Sequence, residues 1–341
     1  MKFINGIGIV SSQDLSKGFP AEIREIRADF LGCLDPDYKQ YINPIAARRM
    51  SRLIKMGITA ARQALAEAGT GMPDAIITGT GLGSVEDTEK LLHELRSGTS
   101  ILNPTPFIQS TYNTISSQIA INLKCHNYNS TYVHRSFSFE SALQDGLLQL
   151  DEGMAETVLA GGIDELTLNH LNIIRRLGHW KREPASNLEL LRYESPGALA
   201  GEGAAFFVVG SNPGAGVYCR VDGVYTFSER TEVTEFLDKV HREEIDLLVL
   251  GYNGDAEFDR IYDQFQEALF PGKPVAWFKH LSGEYFTASA IGLWVAANAL
   301  RNGQVPSYLV LKGQTPTGIR KVLLYNQYRS GYHSLYLLSA C

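Results

Sequence analysis

Cysteine is scarce and scattered. The four in this 341-residue chain are Cys33, Cys125, Cys219 and Cys341, and none forms a C-x-x-C pair. The common zinc and dithiol redox arrangements are thereby excluded. The eight histidines contain no H-x-x-x-H pair either, so no metal site is expected. Dispersed cysteines in a chain this long read as small buried hydrophobes, kept reduced in a cytoplasmic setting. No apolar run reaches the ~18–20 residues that span a bilayer. The segment MKFINGIGIVSS lacks the small-residue cleavage site of a signal peptide. Positive charge is in the minority: 31 Lys and Arg against 37 Asp and Glu leave a net charge of -6. Neither nucleic acid nor a membrane surface is the expected partner of such a chain. The composition that remains, 44% apolar and 20% charged, is enough for two or so well-buried structural units.

Apolar periodicity places the elements. Strands are expected at Lys2–Val10, Asp74–Gly79, Tyr128–Val133, Thr157–Gly161 and Ala204–Gly210, each short and nearly continuous in apolar residues or bounded by glycine. Helices are expected over Pro44–Glu67, Val85–Arg96, Asn113–Leu123 and Ser138–Glu152, with Asn103–Pro106 read as a proline-rich bend. The stretch Gly210–Gly214 reads as a linker. Beyond it the alternation resumes, with strands at Val217–Tyr225, Leu247–Tyr252, Val275–Phe278, Lys321–Tyr325 and Ser334–Leu338. Helices Val233–Val240, Phe258–Leu269 and Phe286–Leu300 lie between them. Strands alternating with helices predict a layered α/β protein. The element order divides it into residues 1–212 and 213–341. Gly79–Ser84 follows a strand and precedes a helix, but its third glycine falls two residues early for a dinucleotide fingerprint.

Six collinear segments carry a resemblance. They are Arg48–Arg52 (RRMSR), Gly79–Ser84 (GTGLGS), Gln109–Ala120, Ala160–Glu165 (AGGIDE), Gly201–Ala205 (GEGAA) and Lys279–Gly283 (KHLSG). Together they resemble the β-ketoacyl synthase (ketosynthase) branch of the thiolase fold. The chain is shorter than typical members, mainly between Gly162 and Asn253. The resemblance implies a thiolase-like five-layer α-β-α-β-α fold built from two similar halves, a dimer, and a Cys-His-His site. In that site a cysteine at a strand-to-helix elbow attacks the acyl thioester, and its thiolate is favoured by the helix N-terminus. Two histidines then stabilise the enolate formed as CO2 leaves a malonyl unit. No resident cofactor is implied, since the acyl group arrives on the phosphopantetheine arm of an acyl carrier protein.

Carried over position by position, the site changes character. The cysteine falls on Ser136, the first histidine on Asn253 and the second on Glu284, while Lys279 is retained. The glycine-rich loop that gates the family pocket falls on Tyr328–Gly331, with its glycines largely gone. A serine hydroxyl is a far weaker acid than a thiol and needs a neighbouring base, and both expected imidazoles are missing. Asn253 can donate a hydrogen bond but carries no proton. An ionised Glu284 would place negative charge where enolate charge develops. Phe137 and Phe139 are bulky at the elbow and read either as core or as the floor of an acyl space. Asn113 and Tyr328 are the other substrate-side candidates.

Ser136 itself reads either as the N-cap of the following helix, as a nucleophile, or as a hydrogen-bonding anchor. His134 and Arg135 are expected to face core or dimer seam. Lys279 is expected to pair with Glu284 or Glu202, and His280 to be structural. Arg175, Arg176, Lys181 and Arg182, with His179, form a basic group in an acidic chain. It is either a solvated face or a docking surface for acidic carrier protein. Three functions follow. The first is a non-condensing subunit that resembles a chain length factor and pairs with an active ketosynthase in type II fatty acid, polyketide or polyene synthesis. The second is a Ser136-dependent acyltransferase or synthase. The third is a homodimeric protein that binds acyl chains or carrier protein.

Overall fold

The structure is a computed structural model that describes residues 1–98, 101–329 and 331–341. Ser330, at the centre of the expected gating loop, lies outside the described residues. Among the described residues eleven strands form one mixed sheet. The first half of the chain supplies β1 (Lys2–Val10), β2 (Ala75–Gly79), β3 (Tyr128–Tyr132), β4 (Thr157–Asp164) and β5 (Gly203–Gly210). The second supplies β6 (Cys219–Phe227), β7 (Leu247–Leu250), β8 (Val275–Trp277), β9 (Val310–Lys312), β10 (Lys321–Tyr328) and β11 (Tyr332–Ser339). Their spatial order is β9-β8-β7-β10-β11-β6-β1-β5-β4-β2-β3.

The pairing repeats. In the first half β1–β5 and β5–β4 are antiparallel, and β4–β2 and β2–β3 are parallel. In the second, β6–β11 and β11–β10 are antiparallel, and β10–β7 and β7–β8 are parallel. The halves join where β1 pairs antiparallel with β6, Lys2 opposite Val221. β9 adds an antiparallel edge to the second half only.

Parallel strands need crossovers, and the helices supply them. They are α1 (Arg52–Ala68), α2 (Val85–Arg96), α3 (Pro104–Gln109), α4 (Thr114–Leu123), α5 (Ser138–Asp151), α6 (Leu168–Arg176), α7 (Arg230–Leu237), α8 (Arg260–Leu269) and α9 (Ser289–Asn302). Every residue of α9 from Ser289 to Leu300 is buried. A helix apolar all round belongs in the middle of a protein, and α9 packs with α5 between strands of both halves. α1 is one-sided: Leu53, Ile54, Ile58, Ala61 and Leu65 face β1 and β5, and Arg52 and Glu67 do not join that core. α8 covers the outside of the second half with Tyr262 and Phe265. The layers therefore run α-β-α-β-α, as expected. Gly8 sets one of the spacings, since a Cβ there would lie 1.8 Å from the carbonyl oxygen of Ala60. No helix among the described residues is long and apolar enough to cross a membrane.

Four local expectations need correction. The helix from Pro44 is broken: a single turn (Pro44–Ala47) ends, and α1 starts only after Ser51, whose hydroxyl accepts from the backbone N–H of Ile54 at 3.5 Å. The cap competes with helix continuation and wins. The proline-rich bend is the helix α3, because Asn103 caps Thr105 N–H at 3.0 Å and Pro104 stands at the first helical position. α6 escaped notice because it buries only Leu171 among its nine residues, so its apolar stripe is short. β10 and β11 are longer than expected and pair up to Tyr328 opposite Tyr332.

Candidate active site

The candidate residues sit past the carboxyl ends of parallel strands, where open α/β sheets collect their ligands. Ser136 follows β3, Asn253 follows β7, and Lys279 and Glu284 follow β8. Asn253, Lys279 and Glu284 are brought together in the interior. The Lys279 ammonium, fully buried, forms an ion pair with Glu284, which is 2% exposed. Asn253 Nδ2 donates to Glu284 Oε2 at 2.6 Å. The amide is oriented from its other side, since Asn253 Oδ1 accepts from Asp255 N–H at 3.0 Å. Asp259 receives the backbone N–H groups of Asn253 and Gly254 at 3.0 and 2.8 Å. A short strap ties the two positions: Leu199 N–H donates to the Asn253 carbonyl, and Glu284 N–H donates to the Leu199 carbonyl. Of the two partners expected for Lys279, Glu202 is taken elsewhere. It accepts from Arg52 Nη1 at 2.7 Å, Cys33 N–H at 2.9 Å and Leu166 N–H at 3.2 Å.

Ser136 sits in a single 3-10 turn, Arg135–Phe137, just before α5. Arg135 adopts φ +49°, a left-handed conformation that a non-glycine residue adopts at a cost, as at a sharp elbow. The reading of Ser136 as N-cap is overturned. Its hydroxyl is buried and has no hydrogen-bond partner. Ser138 holds the turn instead, accepting from His134 N–H at 2.8 Å and donating to the Arg135 carbonyl at 2.6 Å. Ser138 is therefore expected to lose about 1 kcal/mol of stability on mutation to Ala, against little for Ser136→Ala, as read from urea midpoints. His134 and Arg135 are exposed rather than turned to the core.

The aromatic residues divide. Phe139 is fully buried, its ring 5.6 Å from Phe207 and 6.4 Å from Tyr336. Its reading as a pocket floor is corrected: the first turn of α5 points it into the central core. Phe137 is half-buried, stacked on His134 at 5.6 Å and edge-on to Tyr332 at 5.0 Å. Tyr328 meets Phe286 at 5.3 Å. A cavity of ≈ 20 Å³ remains beside Glu284, lined by Asp164, Glu165, Trp180, Tyr285 and Tyr328 among others. That is room for about one water. Asn113 is exposed ahead of α4 and makes no side-chain cap there.

Sequence reasoning missed Asp164 as a site residue, although its motif was noted. It lies at the end of β4, buried, and gathers Gly81 N–H (2.7 Å), Thr80 Oγ1 (3.1 Å), Thr287 N–H (2.9 Å) and Thr287 Oγ1 (2.9 Å). It thereby clamps the turn after β2 to the approach of α9. Burial pushes its carboxyl up to about 6, against the four hydrogen bonds that favour the charge. Burial likewise raises Glu165 to about 7 and Asp259 to about 7.

The basic group is not uniform. Lys181 is buried, and its ammonium donates to Ser195 O (2.7 Å), Ser195 Oγ (3.0 Å) and Gly254 O (2.6 Å). Its assignment to a docking surface is corrected, because all three of its donors are used inside. Arg175 pairs with Asp29 at 2.6 Å. Arg176 and Arg182 are exposed, and neither forms an ion pair among the described residues.

A family model described as "Beta-ketoacyl synthase, N-terminal domain" matches residues 10–213. Among solved structures, the ishigamide ketosynthase/chain length factor is 20% identical, with a TM-score of 0.82 over all of this chain and 99% of that one. A β-ketoacyl synthase from Burkholderia phymatum is 15% identical, with a TM-score of 0.82 over 100% and 99%. The ketosynthase ApeO in complex with its chain length factor ApeC, from Xenorhabdus doucetiae, is 16% identical, with a TM-score of 0.78 over 100% and 98%. No curated protein matches.

Proposed function

This chain belongs to the β-ketoacyl synthase family, and from that premise we propose that it is a non-condensing subunit of the chain length factor kind, paired in the cytoplasm with an active ketosynthase. The observation that carries the reading is the buried Lys279–Glu284–Asn253 group, at the positions on which the sequence resemblance sets the family's two histidines. A condensing site needs donors aimed at an oxygen that becomes negative. Here Glu284 accepts from Lys279 and from one Asn253 N–H, and Asn253 has no proton to relay. Two like charges at ~4 Å repel by about 4 kcal/mol at an effective dielectric near 20, roughly a thousandfold in rate. Lys279 holds Glu284 in a buried ion pair, which keeps the corner folded and occupies the carboxylate and ammonium with each other. The one-water cavity supports the same reading. Two of the similar structures are, by their names, ketosynthase and chain length factor assemblies.

The two halves of the subunit are residues 1–212 and 213–341, divided in the turn after β5. Carrier protein, bringing its phosphopantetheine arm, docks on Arg175, Arg176 and Arg182, where charge complementarity steers an acidic partner. Half-buried Phe137, and not Phe139, is the elbow residue left to shape an acyl path.

The test is co-expression with a family ketosynthase that has an intact Cys-His-His set. A stable heterodimer whose product length shifts on Phe137→Ala is the expected result. A purified chain that extends an acyl group with malonyl units on its own defeats the reading. One observation favours the Ser136-dependent acyltransferase: an unpaired hydroxyl beside a left-handed Arg135. Intact-mass labelling with an acyl thioester decides it, with no adduct expected and an adduct lost in Ser136→Ala overturning the preference.

A further inference from the structure

Away from Ser136, a groove of ≈ 450 Å³ opens over Trp180, within the size range of small-molecule sites. Its walls are Trp180, Pro184, Tyr193 and Pro196, and Lys181, Arg182 and Glu183 supply its charge. Three features of it are unaccounted for by the fold. The indole N–H of Trp180, a residue only 6% exposed, has no hydrogen-bond partner among the described residues. The Lys181 ammonium is solvated by two carbonyls and a hydroxyl, with no carboxylate among its hydrogen-bonding partners. Asp255 and Asp259 act on it only as neighbouring charges, and burial still pulls its pKa below the usual lysine range. Arg182, at the rim, forms no ion pair among the described residues. A buried cation without a contact anion is costly unless something negative approaches it, and an unpartnered buried donor costs about 1–3 kcal/mol.

We propose that this groove binds a small amphipathic anion, its apolar body against Trp180 and Tyr193 and its carboxylate or phosphate on exposed Arg182, with the buried Lys181 charge behind it as a field and not as a hydrogen-bond donor. Glu183 narrows the choice, because it leaves the groove with one net positive charge and suits a singly charged head. Binding there would be felt at the buried site. Lys181 holds the Gly254 carbonyl, next to Asn253, and Trp180 also lines the one-water cavity beside Glu284. The assignment stands whether or not the chain pairs with a ketosynthase.

Two sources share this chemistry: a free acyl carboxylate and the phosphate-bearing pantetheine arm. Calorimetric titration of the purified chain with octanoate and with the methyl ester of pantetheine 4′-phosphate, a singly charged phosphodiester, separates them, with octanol and pantetheine as uncharged controls. Either anion is expected to bind at least tenfold more tightly than its control. Arg182→Gln is expected to weaken that binding about tenfold, while Arg176→Gln and Ser136→Ala leave it unchanged. Lys181→Met, which removes the charge behind the groove, should weaken it as well. If that variant does not fold, Trp180→Phe replaces it and should weaken binding. Failure of both anions to bind, equal binding of the uncharged controls, indifference to Arg182→Gln, or loss of binding in Ser136→Ala would each overturn the assignment.

Discussion

Lys279→Met should unfold this protein more readily than any other single exchange at the candidate site. The substitution keeps the length of the side chain and removes its charge. Glu284, 2% exposed, then keeps only the Asn253 amide for its carboxylate. Leaving one member of a buried ion pair uncompensated costs about 3–5 kcal/mol. For a chain of this size that corresponds to a fall in Tm of roughly 5–15 °C. The double variant Lys279→Met/Glu284→Gln tests the cause. Its glutamine carbonyl still accepts from Asn253, and no charge remains to be buried. Most of the lost stability should return, because a buried pair replaced as a unit is close to neutral. Urea denaturation of the wild type, both singles and the double closes the cycle. A double variant as unstable as Lys279→Met would show that the methionine simply does not fit. Neither variant is expected to gain condensing activity, since no acid or base is introduced.

The same corner shows what a sequence exposes and what it hides. The elbow at Ser136 was read by counting back from Gly161, a glycine that close packing against Phe206 leaves no room to replace. The layered fold was legible for a similar reason: short apolar runs and one fully apolar helix leave few ways to be buried. The choice between Glu202 and Glu284 for Lys279 was not legible. It depends on Arg52, far away in the chain, reaching Glu202 first. Nor was the burial of Lys181, which looks like its arginine neighbours in the sequence but is drawn inward by carbonyls of Ser195 and Gly254. Ser136 and Ser138 are both plausible caps by type. Only the left-handed Arg135 decides which hydroxyl meets the free N–H.

Stability should fall, not rise, as pH is taken from about 5 to 8. Asp164, Glu165 and Asp259 have folded-state values of about 6, 7 and 7 against 3.8, 4.5 and 3.8 for the free side chains, because burial penalises their charge. Between those limits the folded state binds more protons than the unfolded one, so unfolding is favoured as pH rises. Stability from these groups is full below pH 4 and is lost by about pH 7–8. His280 works the other way. Buried against Trp277 at 4.0 Å, it is held near 3 instead of 6.5, so it resists protonation and destabilises the fold as pH drops below about 6.5. Buried Glu140 is raised as well, and desolvation depresses His170 and His179; the raised carboxyls outweigh the imidazoles, and a net loss of a few kcal/mol is expected between pH 5 and 8. Urea midpoints across that range measure it. Asp259→Asn should flatten the profile, since its amide does not titrate, at the cost of one of the two N–H contacts that Asp259 receives on separate oxygens from Asn253 and Gly254. His280→Phe should steepen it at the acid end. A profile that rises with pH in the wild type would mean that these carboxyls are ionised at little cost, and that the loops bearing Asn253 and Thr287 are wetter than their burial implies. The consequence lies in those loops: charge on Asp164 and Asp259 strengthens the hydrogen bonds they receive but is costly to keep buried, so the fold around Glu284 should open more readily in mildly alkaline than in mildly acidic solution.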